Sequence, residues 1–179
     1  MERERGKMSW KIFSEMMLIL LLISMLAIGF NIQPTEAGTI TVPDDYLTIQ
    51  EAINHANEGD TIYVLSGTYY ENVVVNKTVS LVGEDKSTTI IDGMGIGTVL
   101  NLTVNNVKVV SFTIRNGSTA YPHSGIRAYN SSGIEISDNI ILGSYHGVLL
   151  HLSSNNSLSN NMIINSGLGI KLRSSSNNT

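Results

Sequence analysis

Residues 126–147 read "IRAYNSSGIEISDNIILGSYHG" and residues 148–169 read "VLLHLSSNNSLSNNMIINSGLG". Taken alone, "SSNNSLSNNMIINS" (153–166) looks like a low-complexity tract. Laid over the preceding stretch, it becomes a second copy with a 22-residue period and no gap. Ile126 coincides with Val148 and Ile170, and Ala128 with Leu150 and Leu172. Ser131-Ser132 coincide with Ser153-Ser154 and Ser175-Ser176, Asn139 with Asn161, and Gly147 with Gly169. "IKLRSSSNNT" opens a third copy at residue 170.

Upstream, residues 99–125 form a 27-residue copy in which Val99 matches Ile126 and Val109 matches Ile136. Its five extra residues fall in "RNGSTAYPHSG", between Ile114 and Ile126. Two looser copies, "TIYVLSGTYYENVVVNK" and "TVSLVGEDKSTTIIDG", precede it. Short alternating strands repeated at about 20–25 residues, with no helix in the repeat, define a parallel β-solenoid. Each coil stacks on the last at ~4.8 Å. Ile126, Ala128, Ile134, Ile136 and Ile141 are the expected inward residues. Asparagine at the turns tolerates the left-handed conformation and bonds to neighbouring coils.

Composition agrees. Charged residues are only 15% of the 179, aromatics 6%, and there is no cysteine. Disulfides and thiolate metal sites are therefore excluded. Val, Ile and Thr suit strands, and Gly, Asn and Ser suit turns.

"YLTIQEAINHANEGD" (46–60) is the exception, with apolar residues at helical spacing. Thr48 and Glu51 read as a capping box, Leu47 as a staple against Ala52, and Gly59 as the C′ residue. The spacing predicts a helix over 48–58 that caps the exposed end of the solenoid. At the other end Thr179 falls in mid-coil, so a longer β-helix is expected to follow.

Residues 1–37 read as a signal peptide or signal anchor. Arg3, Arg5, Lys7 and Lys11 precede the apolar run "MMLILLLISMLAIGF" (16–30), and Thr35 and Ala37 suit a cleavage site. Residues 38–60 then form the cap and 61–179 the coils, all outside the cytoplasm. The charge is uneven: residues 38–92 sum to −7 and residues 93–179 to +3.

The stretch "TIQEAINHANEGDTIYVLSGTYYENVVVNKTVSLVGE" (48–84), with Gly67-Thr68-Tyr69-Tyr70-Glu71 as a G-x-Y-x-E element, resembles the pectin-lyase-like right-handed β-helix superfamily. The coil pattern "GI-x-L-x-x-SSNN" is similar to NosD-type repeats, a family described as periplasmic copper-binding, and to archaeal cell-surface β-helix proteins. The resemblance implies an all-β, right-handed parallel β-helix with an N-terminal capping helix. It leaves function open, because the superfamily holds lyases, hydrolases, esterases and non-catalytic surface modules.

The residues favour a non-catalytic module. Outward columns of the coils are read as Leu100, Arg127, Leu149, Lys171 and as Leu102, Tyr129, His151, Arg173, without a carboxylate. Paired acids for glycoside hydrolysis are not visible. Arg127, Tyr129, His151, Lys171 and Arg173 form a candidate strip for a carbohydrate or cell-envelope polymer. Two alternatives stand beside it. One is the N-terminal part of a polysaccharide-active enzyme whose catalytic coils lie beyond residue 179. The other is a NosD-like copper-delivery accessory, for which His123 and His146 are the candidate ligands and copper is implied by the resemblance alone. No cofactor is otherwise expected. Nucleic acid is not an expected partner, and a membrane is met only through residues 12–30. Six N-x-S/T sequons, at Asn76, Asn101, Asn116, Asn130, Asn155 and Asn177, are candidate glycosylation sites, with Asn116 the most exposed on this reading.

Overall fold

The computed structural model describes Trp10, residues 12–21 and residues 36–179. Residues 12–21 are helical, and no described helix is long and apolar enough to cross a membrane. Most of the expected signal segment lies outside the described residues. Residues 37–179 form their own unit.

That unit begins with β1 (Thr39–Val42) and helix α1 (Ile49–His55). The chain then repeats three strands per coil. The first coil is β2 (Thr61–Val64), β3 (Gly67–Tyr70) and β4 (Val73–Val75), and the second is β5 (Ser80–Gly83), β6 (Thr89–Asp92) and β7 (Leu100–Leu102). The third is β8 (Lys108–Val110), β9 (Thr113–Arg115) and β10 (Ser124–Tyr129). The fourth is β11 (Glu135–Ser137), β12 (Ile140–Leu142) and β13 (His146–His151), and the fifth is β14 (Ser157–Ser159), β15 (Met162–Ile164) and β16 (Leu168–Arg173). Every pairing is parallel, and strands of equivalent position build three sheets. Sheet A is β1-β2-β5-β8-β11-β14, sheet B is β3-β6-β9-β12-β15, and sheet C is β4-β7-β10-β13-β16.

The 22-residue register holds: Ile126 pairs with Val148, Ile136 with Leu158, and Ile141 with Ile163. Ile126, Ala128, Ile134, Ile136 and Ile141 all face the core and are buried. One upstream match moves by a residue. Leu100, not Val99, pairs with Ile126, while Val109 still pairs with Ile136. The turn after β7 is one residue shorter than the turn after β10, and the sequence overlay took that step in the wrong place. Leu100 and Leu102 are consequently core residues at 0% exposure, and Asn101 is the outward neighbour of Arg127.

Polar ladders lock the stack. Asn139 is fully buried, and its Oδ1 accepts from the Phe112 N–H at 3.0 Å. Its Nδ2 donates to the carbonyls of Val109 (3.0 Å) and Ser137 (2.9 Å) and to Asn161 Oδ1 (3.0 Å). Asn156 and Asn178 repeat the device in the turn from sheet C to sheet A, where Ser131, Ser153 and Ser175 form a second ladder. Different residues take the left-handed conformation, among them Asn155, Asn160 and Asn165. Most of the asparagines thus either bend the chain or bridge coils, and Asn116 does both.

Helix α1 closes the free edge of sheet C. Gln50 Oε1 accepts from the Val74 N–H (2.8 Å) and its Nε2 donates to the Val74 carbonyl (3.2 Å), as a neighbouring strand would. Glu71 of the G-x-Y-x-E element accepts from the N–H groups of Ile49 and Gln50 at 2.9 and 3.0 Å. Lys77 donates to the carbonyls of Asn54 and Ala56. Both helix ends are therefore satisfied from the first coil. Thr48 accepts from Glu51 N as expected. Two expectations fail. Leu47 is 78% exposed and staples nothing. Gly59 is not C′, because the helix ends at Ala56, and Gly59 (φ +91°) instead turns the chain toward the Thr78 carbonyl.

Two substitution pairs test the stacking. Asn139→Ala strands the Phe112 N–H and two carbonyls and is expected to cost about 2–4 kcal/mol in urea denaturation. Asn160→Gly, at a left-handed and exposed position, is expected to be near neutral. Near the start of β10, a Cβ on Gly125 would lie 2.6 Å from Ile141 Cγ2 and 2.9 Å from the Gly147 carbonyl oxygen. A Cβ on Gly169, in the same column, meets nothing within 4 Å. Gly125→Ala is expected to destabilise by about 1–3 kcal/mol and Gly169→Ala by far less.

Candidate functional site: the outer face of sheet C

The outward residues of β10, β13 and β16 bring the expected strip together. Arg127 pairs with Leu149 and Leu149 with Lys171, while Tyr129 pairs with His151 and His151 with Arg173. The Arg127 guanidinium carbon stands 4.9 Å from the Tyr129 ring centre, and the Tyr129 and His151 rings meet edge-on at 5.2 Å. Arg127, Lys171 and Arg173 have no carboxylate partner among the described residues. The ion pairs lie elsewhere: Lys86–Asp138, Lys108–Glu135 (3.1 Å) and Arg115–Asp92 (2.7 Å). His151 is held below its ordinary pKa by burial first, then by the charges of Arg173 and Arg127.

The five-residue insertion supplies a wall that the sequence did not reveal. Tyr121 packs edge-on against Tyr145 at 5.6 Å and against His146 at 6.1 Å. Between wall and sheet lies a pocket of about 120 Å³, lined by Tyr121, Arg127, Leu149, His151, Lys171 and Arg173 among others. A wider hollow of about 510 Å³ adjoins it beside Tyr121, Tyr145, Lys171 and Arg173. The only sequence signal for this wall was the insertion's length and its tyrosine.

Asp92 anchors the base of the wall. Its carboxylate accepts from Met94 N (2.9 Å), Arg115 Nε (2.7 Å) and Asn116 Nδ2 (3.1 and 2.9 Å). Burial pushes its pKa up, but these donors outweigh burial and hold it below the ordinary 3.8. Asn116 is exposed as expected, yet its amide is committed to this network. The other carboxylates near the coils have similar structural tasks. Asp60 binds the N–H groups of Gly38 and Asn57, Glu84 binds Ser66, and Asp85 binds Ser87.

This is a parallel β-helix with a basic, aromatic-walled groove on one sheet. A carrot pectin methylesterase superposes on it with a TM-score of 0.50 at 16% identity, over 80% of this chain and 63% of that one. An alginate lyase from Paenibacillus gives 0.49 at 15% identity, over 70% of this chain and 58% of that one. Residues 53–179 match the family described as "Periplasmic copper-binding protein (NosD)", and the chain belongs to that family. A curated "Cell surface glycoprotein" of Methanothermus fervidus is 30% identical over 136 residues. The match takes in 74% of this chain and 21% of the relative's length.

The described residues do not fit the copper of the family's description. No three His, Cys, Asp or Glu side chains among them converge. His146 is 2% exposed, with Nδ1 turned to the His123 carbonyl at 3.2 Å. His151 stands beside Arg127 and Arg173, whose charges repel a cation.

Asp92 makes the wall's stability pH-dependent. Its carboxyl is depressed in the folded state, so its contribution is complete above 3.8 and is lost as pH falls from there through the folded value. Melting temperature is expected to drop steeply below pH 4 in the wild type, and Asp92→Asn is expected to lose less on the same acidification.

Proposed function

We propose that the chain is an exported, non-catalytic β-helix module of the cell surface that holds an acidic polysaccharide of the envelope along sheet C. The observation that carries this is the unpaired trio Arg127, Lys171 and Arg173 beside a tyrosine wall. A sugar carboxylate or sulfate supplies the missing anion, and Tyr121, Tyr129 and Tyr145 offer ring faces and edges for the sugar. Strands about 4.8 Å apart repeat these contacts along an extended polymer. The curated relative's name supports a surface location, and the family description supports a place outside the cytoplasm. The carboxylates of the coils that are hydrogen-bonded or ion-paired, among them Asp92, Asp60, Glu71, Glu84 and Asp85, already have structural tasks. That is why a module is favoured over a hydrolase.

The test is retention on polygalacturonate, with neutral dextran as control. Wild type is expected to be retarded by polygalacturonate alone, and less so as salt rises. Arg127→Ala with Tyr129→Ala is expected to weaken retention about tenfold or more, with melting temperature nearly unchanged. Equal retention by the double variant, or equal retention on dextran, sinks this reading.

A further inference from the structure

The structure sorts the six sequons by what their side chains already do. Asn116 is engaged by both Asp92 oxygens. Asn101 is half-buried on the face of β7, and its Oδ1 is enclosed without a partner. Asn76, Asn130, Asn155 and Asn177 are exposed, and their side-chain amides have no hydrogen-bond partner among the described residues.

All four lie in one turn region, Asn155 and Asn177 in one column and Asn130 three residues earlier in the turn, level with Leu152. Each follows a sheet C strand, in the turn that leads to sheet A: Asn76 after β4, Asn130 after β10, Asn155 after β13 and Asn177 after β16. Asn130, Asn155 and Asn177 are left-handed, with φ of 51°, 59° and 53°. The same turn is fixed from inside by the Ser131–Ser153–Ser175 ladder. A rigid corner therefore presents free amides outward while its inner serines bind the coils.

The sequon hydroxyls divide further. Thr78, which serves Asn76, donates to the Asn105 carbonyl at 3.1 Å. The hydroxyls of Ser132, Ser157 and Thr179, which serve Asn130, Asn155 and Asn177, have no partner among the described residues.

We propose that this corner is an N-glycosylated ridge, with oligosaccharide on Asn130, Asn155 and Asn177 and none on Asn101 or Asn116. The donor is an activated glycosyl phosphate, used by a separate transferase. The amide Nδ2 forms a C–N bond to the anomeric carbon, and the anomeric C–O bond to phosphate breaks. The phosphate leaves with the bonding pair, the amide proton passes to a base, and nothing is oxidised or reduced. A glycan on Asn116 would cost the Asp92 hydrogen bonds, and one on Asn101 would have to leave the sheet beside Arg127. At the ridge it costs no contact. Tyr129, His151 and Arg173 end their strands at this corner, so the ridge borders the groove without filling it.

The test is glycopeptide mass spectrometry on the full chain isolated from the cells that make it. Occupancy is expected at Asn130, Asn155 and Asn177. Ser132→Ala and Ser157→Ala are each expected to remove one glycan while keeping the left-handed asparagine and an unchanged melting temperature. Unmodified peptides at the three ridge sites, or glycan on Asn101 or Asn116, would overturn the proposal.

Discussion

The structure depends on the side-chain amide of Asn139, which is wholly out of water yet has each of its hydrogen-bonding groups engaged. It joins three successive coils, reaching Phe112 and Val109 on one side and Asn161 on the other. A buried amide with a missing partner is costly, whereas a complete ladder fixes one register and penalises every slip. Much of the polar composition follows from this. Asn and Ser are frequent because the turns need residues that bond upward and downward without charge. The apolar residues can then be short and β-branched, since a triangular core three strands round has little width to fill.

A face built this way is stiff, and stiffness suits recognition. Arg127 projects from β10, and Lys171 and Arg173 project from β16, one strand beyond β13, so their backbone positions are already set. Like charges so placed repel one another, and nothing in the core requires them. Their cost to stability contrasts with Asp92, Asp138 and Glu135, each of which has a basic partner. The molecule neutralises charge where it supports loops and leaves it open on sheet C.

The period, the inward residues and the cap helix were legible in the sequence because they are local patterns repeated at fixed spacing. The strip from Arg127 to Arg173 was legible for the same reason. Register beside Leu100 was not, because a residue lost between β7 and β8 leaves the apolar alternation looking intact. Leu47 matched a staple pattern, but the chain before α1 runs out of β1 and carries its side chain into solvent. Gly59 matched a C′ position, but Lys77 meets the helix carbonyls first. Tyr121 was missed as a wall over Tyr145 and His146 because the length of an insertion does not say over which sheet it folds. Asn116 matched an exposed sequon, and only three-dimensional proximity to Asp92 reveals its other task.

The shortened turn after β7 and the lengthened one before β10 have a shared consequence. In both places the chain changes its contour length between two coils, yet the strands that follow return to the same columns. A corner is thus a phase-neutral joint. The stack keeps its metre while the rim keeps its own vocabulary, so the wall over sheet C can be rewritten by insertion or deletion while the strands keep their columns.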